Sequence, residues 1–140
     1  MSEDASYELQ VAIVKAIKAD TAVAALIHDR VYDRVPMEAG KVTAKFPYVS
    51  FGPEQEIPAD ADCIPGSEFI IQIDAWSRAV GFPEVKRISS AVKRALNDEN
   101  MEIAENALVY LTYEGRRVLR DSDGLTSHAV LSFRAMIEER

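Results

Sequence analysis

Several groups of side chains in the sequence have types and spacings that chemistry can use. Ser90 and Lys93 form an S-x-x-K pair, a separation that on a helix sets an amine one turn from a hydroxyl it could activate as a nucleophile. The companion motifs of hydrolases that use this pair are absent from the sequence, and a solvated helix face accounts for the same letters. Asp121-Ser122-Asp123-Gly124-Leu125-Thr126 places carboxylates at alternating positions, as the opening of a calcium loop does. The remaining ligands and the distal glutamate are missing, whereas Asp-Gly supplies the positive φ that tight hairpins demand, so a hairpin turn is predicted. His28 and His128, the only histidines, would suit an acid–base pair, but neither has a Ser or Cys signature beside it and each is read as a surface or capping residue. Asp60, Asp62 and Asp74 have metal-ligating chemistry, yet the first two fall in a loop-like segment with nothing to fix them. No phosphate-binding glycine loop, zinc-protease helix motif or nucleophile elbow occurs. The motifs therefore predict no catalytic residue, no cofactor and no metal.

What remains is a set of arginines, Arg116, Arg117, Arg120 and Arg134, gathered on the last predicted strands of an acidic chain. Bidentate guanidinium groups are favoured at protein interfaces as well as at phosphates. Solvated strand faces, a subunit interface and an anion site all fit the pattern. Trp76 and Arg78 join them as interface candidates, because the alternation of their strand puts the indole on the polar face, beneath a helix or loop or at a contact surface.

The chain that must position these groups has 140 residues, enough for one domain spanning 1–140 with a continuous core. Its formal net charge of -7 argues against wrapping nucleic acid by phosphate neutralisation. The start, MSEDASYELQ, is acidic where a secretory signal would be basic, and no apolar run is long enough to span a bilayer. A soluble, cytoplasmically made protein is expected. Cys63 stands alone, so it forms no intrachain disulfide and is read as an unreactive loop residue.

Leu9, Ala12, Ile13, Ala16 and Ile17 draw one stripe down a helix capped by Ser6 or Asp4. Asp20 caps a second, short helix to Ile27, ending before His28-Asp29. Arg30 to Pro36 alternates as a short edge strand, Glu38 to Lys45 reads as a polar connection, and Phe46 to Phe51 as a strand with Pro47 near its start. Gly52 to Gly66, with its prolines and acidic residues, is predicted to be a long, exposed, mobile loop. Phe69, Ile71, Ile73 and Ala75 share one strand face, with Gln72 and Asp74 on the other. Pro83 opens a helix carrying Val85, Ile88, Ala91, Val92, Ala95 and Leu96. After a turn at Asn97 to Asn100 come strands at Ala107 to Tyr113, Val118 to Arg120 and Thr126 to Ile137. The order ααβββαβββ predicts an α+β fold: a mostly antiparallel sheet with helices packed on one face.

These segments, in this order and at these separations, resemble the tail-completion or tail-terminator proteins of long-tailed bacteriophages and prophages. The likeness runs through the leading helix and Ala-rich short helix, Arg30-Val31-Tyr32-Asp33-Arg34-Val35-Pro36, Phe46-Pro47-Tyr48-Val49, and Ile73-Asp74-Ala75-Trp76-Ser77-Arg78 with Gly81. It continues in Arg120-Asp121-Ser122-Asp123-Gly124-Leu125-Thr126-Ser127-His128 and Phe133-Arg134. The resemblance implies a structural virion protein, made in the host cytoplasm, that forms a hexameric ring on the head-proximal end of the tail tube. Its implied partners are further copies of itself, the tail tube protein and the head–tail connector protein. DNA is only passing cargo, and no membrane, cofactor or catalytic residue is involved. A cyclic ring needs two different complementary patches per subunit. The expectation here is that the arginine-bearing final hairpin of one subunit meets an acidic surface of its neighbour, including the Gly52 to Gly66 stretch. The competing functions are a generic protein-binding module presenting Trp76 and the arginines, and a small hydrolase or nuclease using Ser90, Lys93 or the aspartates.

Overall fold

Two aspartates set the start of the chain. In the computed structural model, which describes residues 3–60, 63–97 and 101–140, Asp4 accepts a hydrogen bond from the Tyr7 amide at 2.9 Å and opens α1 (Ala5–Ala19). Asp20 accepts from the Val23 amide at 3.0 Å and opens α2 (Thr21–Ile27). A carboxylate at an N-cap satisfies an amide that the first turn leaves without a partner. Of the two predicted caps for α1, Asp4 does the work and Ser6 lies inside the helix.

The chain continues through β1 (Val31–Tyr32), β2 (Met37–Glu38), β3 (Lys41–Val42), β4 (Tyr48–Pro58), β5 (Gly66–Ser77), α3 (Pro83–Ala95), β6 (Ala107–Arg120) and β7 (Ser127–Glu138). Five strands form one sheet in the order β1-β4-β5-β7-β6, antiparallel except for the short β1 edge, and β2 with β3 forms a separate hairpin. The fold is α+β, as the segment order predicts.

Side-chain alternation along the strands gives the sheet two unlike faces. Phe69, Ile71, Ile73 and Ala75 of β5 and Ala129, Leu131, Phe133, Ala135 and Ile137 of β7 are buried against Leu9, Ile13 and Ile17 of α1, Val23 and Ile27 of α2, and Val85, Ile88 and Val92 of α3. Each fully buried side chain of this size stabilises the fold by roughly 1.5–3 kcal/mol, so this layer holds the sheet flat against the helices. The opposite face carries Glu68, Gln72, Asp74 and Trp76 of β5 next to His128, Val130, Ser132 and Arg134 of β7.

Three sequence expectations fail, each for a local reason. The Gly52 to Gly66 stretch is not a loop: β4 runs on to Pro58, pairing Glu54 with Ile71 and Pro58 with Ser67, and only the end of the segment turns. A bulge between Phe51 and Glu54 absorbs Gly52 and Pro53, residues that in sequence look like a stop. Gly52 is required there, because a Cβ would lie 2.7 Å from Asp74 Oδ2. The two strands expected at Ala107 to Tyr113 and Val118 to Arg120 are one strand, β6, kept continuous by irregularities at Leu108/Tyr110 and Tyr113/Gly115. The connection expected from Glu38 to Lys45 contains all of the β2–β3 hairpin but Met37, turning through Ala39 and Gly40 at positive φ. The Asp121 to Thr126 segment is the predicted hairpin turn, joining β6 to β7. Most of the turn predicted at Asn97 to Asn100, and the Asp62 side chain, lie outside the described residues.

Candidate interaction surfaces

The register assigns the arginines to different surfaces. Arg116, Val118 and Arg120 stand opposite Leu131, Ala129 and Ser127 and so face the helices, whereas Arg117 stands opposite Val130 on the open face. Arg116 reaches across to α3, where its Nη1 donates to the Lys86 carbonyl at 3.2 Å, to Ser89 Oγ at 2.6 Å and to Ser90 Oγ at 3.3 Å. Arg120 lies over the Phe82 ring with its guanidinium carbon 4.7 Å from the centroid. Arg134 sits on the open face between two carboxylates, donating to Glu114 Oε1 at 2.8 Å and Glu68 Oε2 at 3.0 Å. Those bonds hold its guanidinium more firmly protonated than usual, and the same contact, with a hydrogen bond from Tyr110, holds the Glu68 carboxyl below the ordinary carboxylate range. Strand alternation therefore separates what the sequence gathers.

Trp76 belongs to a ladder across the open face. Cross-strand neighbours Tyr48, Trp76 and His128 lie in one row, with Ser50, Asp74 and Val130 in the next. The indole stacks on the His128 imidazole at 3.7 Å between centroids, and its Nε1 donates to Ser50 Oγ at 2.9 Å. His128 Nε2 pairs with Asp74 Oδ1 at 2.7 Å, and Gln72 Nε2 donates to the same carboxylate at 3.0 Å. Asp74 is only 4% exposed, so these partners meet the requirement that a buried carboxylate be hydrogen-bonded. Burial also pushes the Tyr48 phenol up. His128 is thus not the surface or capping residue predicted, because the strand turns it onto Asp74; His28 does cap α2. Arg78 lies over the Phe46 ring at 4.3 Å, and its Nε donates to Thr126 Oγ1 at 3.2 Å.

The chemistry sought in the motifs is engaged otherwise. Ser90 accepts from Arg116, and the Lys93 ammonium lies over Tyr113, 4.6 Å from its centroid. Asp123 accepts from the Leu125 and Thr126 amides, both at 2.8 Å, and from Thr126 Oγ1 at 2.7 Å. Those hydrogen bonds lower its carboxyl to about 2. Asp60 accepts from the Gly66 amide at 3.1 Å. Cys63 is exposed at positive φ. No group of three or more His, Cys, Asp or Glu side chains among the described residues is placed to hold a metal ion.

Two features escaped the sequence reading. Glu8, on the buried stripe of α1, reaches a segment almost a hundred positions away and accepts from the amides of Ala104, Glu105 and Asn106 and from Asn106 Nδ2. Burial works to raise its carboxyl, but these four bonds together outweigh it and leave the group below its ordinary range. Nothing local in the sequence signals a contact over that distance.

The second feature is the outer face of α3, with Lys86, Arg87, Lys93 and Arg94 all exposed. Their two Lys-Arg pairs are seven residues apart, which is two helical turns, so both fall on one side. That spacing is visible in the sequence, where it reads as an ordinary solvated face.

A family model described as tail completion protein gp17 matches residues 11–138. Among solved structures, a chain in the virion of a native gene transfer agent particle superposes with a TM-score of 0.85 and 30% identity, over 98% of this chain and 99% of that one. The bacteriophage SPP1 gp17 protein superposes with a TM-score of 0.58 and 20% identity, over 94% of this chain and 89% of that one, a likeness of fold. A search of curated proteins finds no match.

Proposed function

The chain belongs to the tail completion protein gp17 family, and from that membership we propose that it closes the head-proximal end of a phage-like tail tube as a hexameric ring and joins it to the head connector. At the coarser level it is a structural tail protein of the virion. The observation that carries the reading is the whole-length likeness to a chain that sits in an assembled gene transfer agent particle.

The fold is suited to such a role. A sheet backed on one face by three helices is a stiff plate, and its polar face is knitted by side-chain hydrogen bonds. The groups that looked catalytic have other work: Ser90 receives Arg116, Lys93 covers Tyr113, and His128 pairs with Asp74. These engagements favour a structural rather than an enzymatic reading. DNA in this reading passes through the ring without being held, consistent with the net charge of -7, since an acidic wall repels phosphates.

The test is assembly. Purified protein mixed with its cognate tail tubes is expected to appear in negative-stain electron micrographs as a ring at one tube end. Particles made without the gene are expected to accumulate tails that carry no head. Intact, headed particles lacking the protein would overturn the proposal.

A further inference from the structure

Four of the sixteen Lys and Arg residues of this acidic chain lie on α3, and the subunit leaves their charges largely unpaired. The Arg87 and Arg94 side chains have no hydrogen bond, ion pair or ring contact among the described residues, and the Lys86 and Lys93 ammonium groups meet only the rings of Phe82 and Tyr113. Arg116 brings a further guanidinium to the same surface. Glu84 is the one carboxylate of the helix, and it accepts a hydrogen bond from Ser77. Between α2 and α3 runs a trough of about 580 Å³, with Ala22, Ala25 and Leu26 along one side and Lys86, Arg87 and Arg94 along the other.

The complementary surface is the far end of the β4–β5 hairpin. Past the bulge, Glu54 and Glu56 are exposed, bonded only to the neutral hydroxyls of Ser6 and Ser67, and Asp60 follows beyond Pro58. Ile64, 45% exposed, adds an uncovered apolar side chain on the same arm. One surface has an apolar wall with a cationic edge. The other has exposed carboxylates along β4 and the exposed Ile64 beside them on the arm.

We propose that the trough between α2 and α3 receives the acidic β4–β5 arm of a second copy of this chain, with Arg87 and Arg94 facing Glu54 and Glu56. The two patches are different surfaces of one subunit, so the contact is head-to-tail, the kind that closes into a ring. The proposal rests on the ring assembly proposed above and specifies which surfaces make it. It also moves the contact from the final hairpin to α3, because Arg116, Arg120 and Arg134 are already engaged within the subunit and only Arg117 stands there without a partner among the described residues. Exposed ion pairs are individually weak and screened by salt, so they set the register of the contact while the apolar wall buries Ile64.

The experiment is a charge swap read on tube ends. Arg87→Glu with Arg94→Glu, and separately Glu54→Lys with Glu56→Lys, are each expected to reduce ring occupancy about tenfold or more while the thermal melting temperature of the isolated subunit stays at the wild-type value, since like charges then face each other across every contact. An equimolar mixture of the two variants can close a six-membered ring by alternation, since each acidic trough then meets a basic arm and each basic trough an acidic one, and the four substitutions combined in one chain also restore opposite charges; both are expected to recover assembly. Rising salt should weaken the wild-type ring. Undiminished rings from either double variant, or a combined variant no better than the worse of its parents, would overturn the proposal while leaving the ring intact as a concept. Wild-type protein that never forms rings on tube ends would instead sink the assembly reading on which it rests.

Discussion

The open face of the sheet and the outer face of α3 are both rich in charge, yet they spend it differently. On the sheet, Arg134 lies between Glu68 and Glu114, and Asp74 is taken by His128 and Gln72. On α3, Arg87 and Arg94 point to solvent with no partner among the described residues. Arginine count alone treats these regions as equals. The difference teaches that a charge already paired inside its own subunit contributes to shape, and that recognition is better sought where pairing is incomplete.

The comparison can be broken or sharpened by substitution. The largest effect is expected at Trp76: Trp76→Ala removes the stack on His128, strands Ser50 and uncovers the Asp74 pair. It should cost about 3 kcal/mol in urea denaturation; a loss below roughly 0.5 kcal/mol, the range of ordinary surface substitutions, would show that the ladder is ornament.

Acid should follow as the next largest perturbation. Glu8, Glu68 and Asp123 all have carboxyls lowered by folding, Asp123 to about 2. A lowered folded pKa means that the unfolded chain takes up protons first. The stabilisation is therefore complete above the unfolded values of 4.5 and 3.8 and is lost as pH falls through the folded ones. Melting temperature should hold steady down to about pH 5 and decline toward pH 2, and Glu8→Gln with Asp123→Asn should flatten that decline from an already lower starting point. An acid profile identical to wild type would contradict the assignment.

The smallest effect is expected on the helix. Arg87→Ala with Arg94→Ala should leave subunit stability within about 0.5 kcal/mol. A clear destabilisation would mean that these side chains hold the fold after all, and the contrast between the two regions would collapse.

Much of this architecture was legible in the residues. The three-and-four spacing in α1 and α3, Asp20 as a cap and the alternation in β5 and β7 all fix an element by a period or a stereochemical need that acts within a few positions. What could not be read is what depends on contacts across the sheet. Gly52-Pro53 stops a strand by local rules, but pairing with β5 carries the strand through by way of a bulge. Gly115 likewise divides β6 in sequence and bends it in space. The arginines of the final hairpin looked like one site because sequence proximity ignores which face each residue takes. Glu8 gave no local sign of its role, because its four donors come from residues 104–106, far along the chain. The α3 cations were visible as a pattern, and only the structure shows which of them lack company.

The shortness of β1 has a consequence for β4. Past Ser50 the outer rim of this strand is no longer covered by β1, which pairs only with Val49 and Ser50. An uncapped rim invites endless strand-by-strand growth, the hazard of any protein held at high local density beside copies of itself. Here Pro53 and Pro58 withhold the amide that such growth requires, and Glu54 and Glu56 make stacked copies repel. Copies that meet, as in the ring proposed above, would then do so through side chains rather than through rim-to-rim backbone pairing.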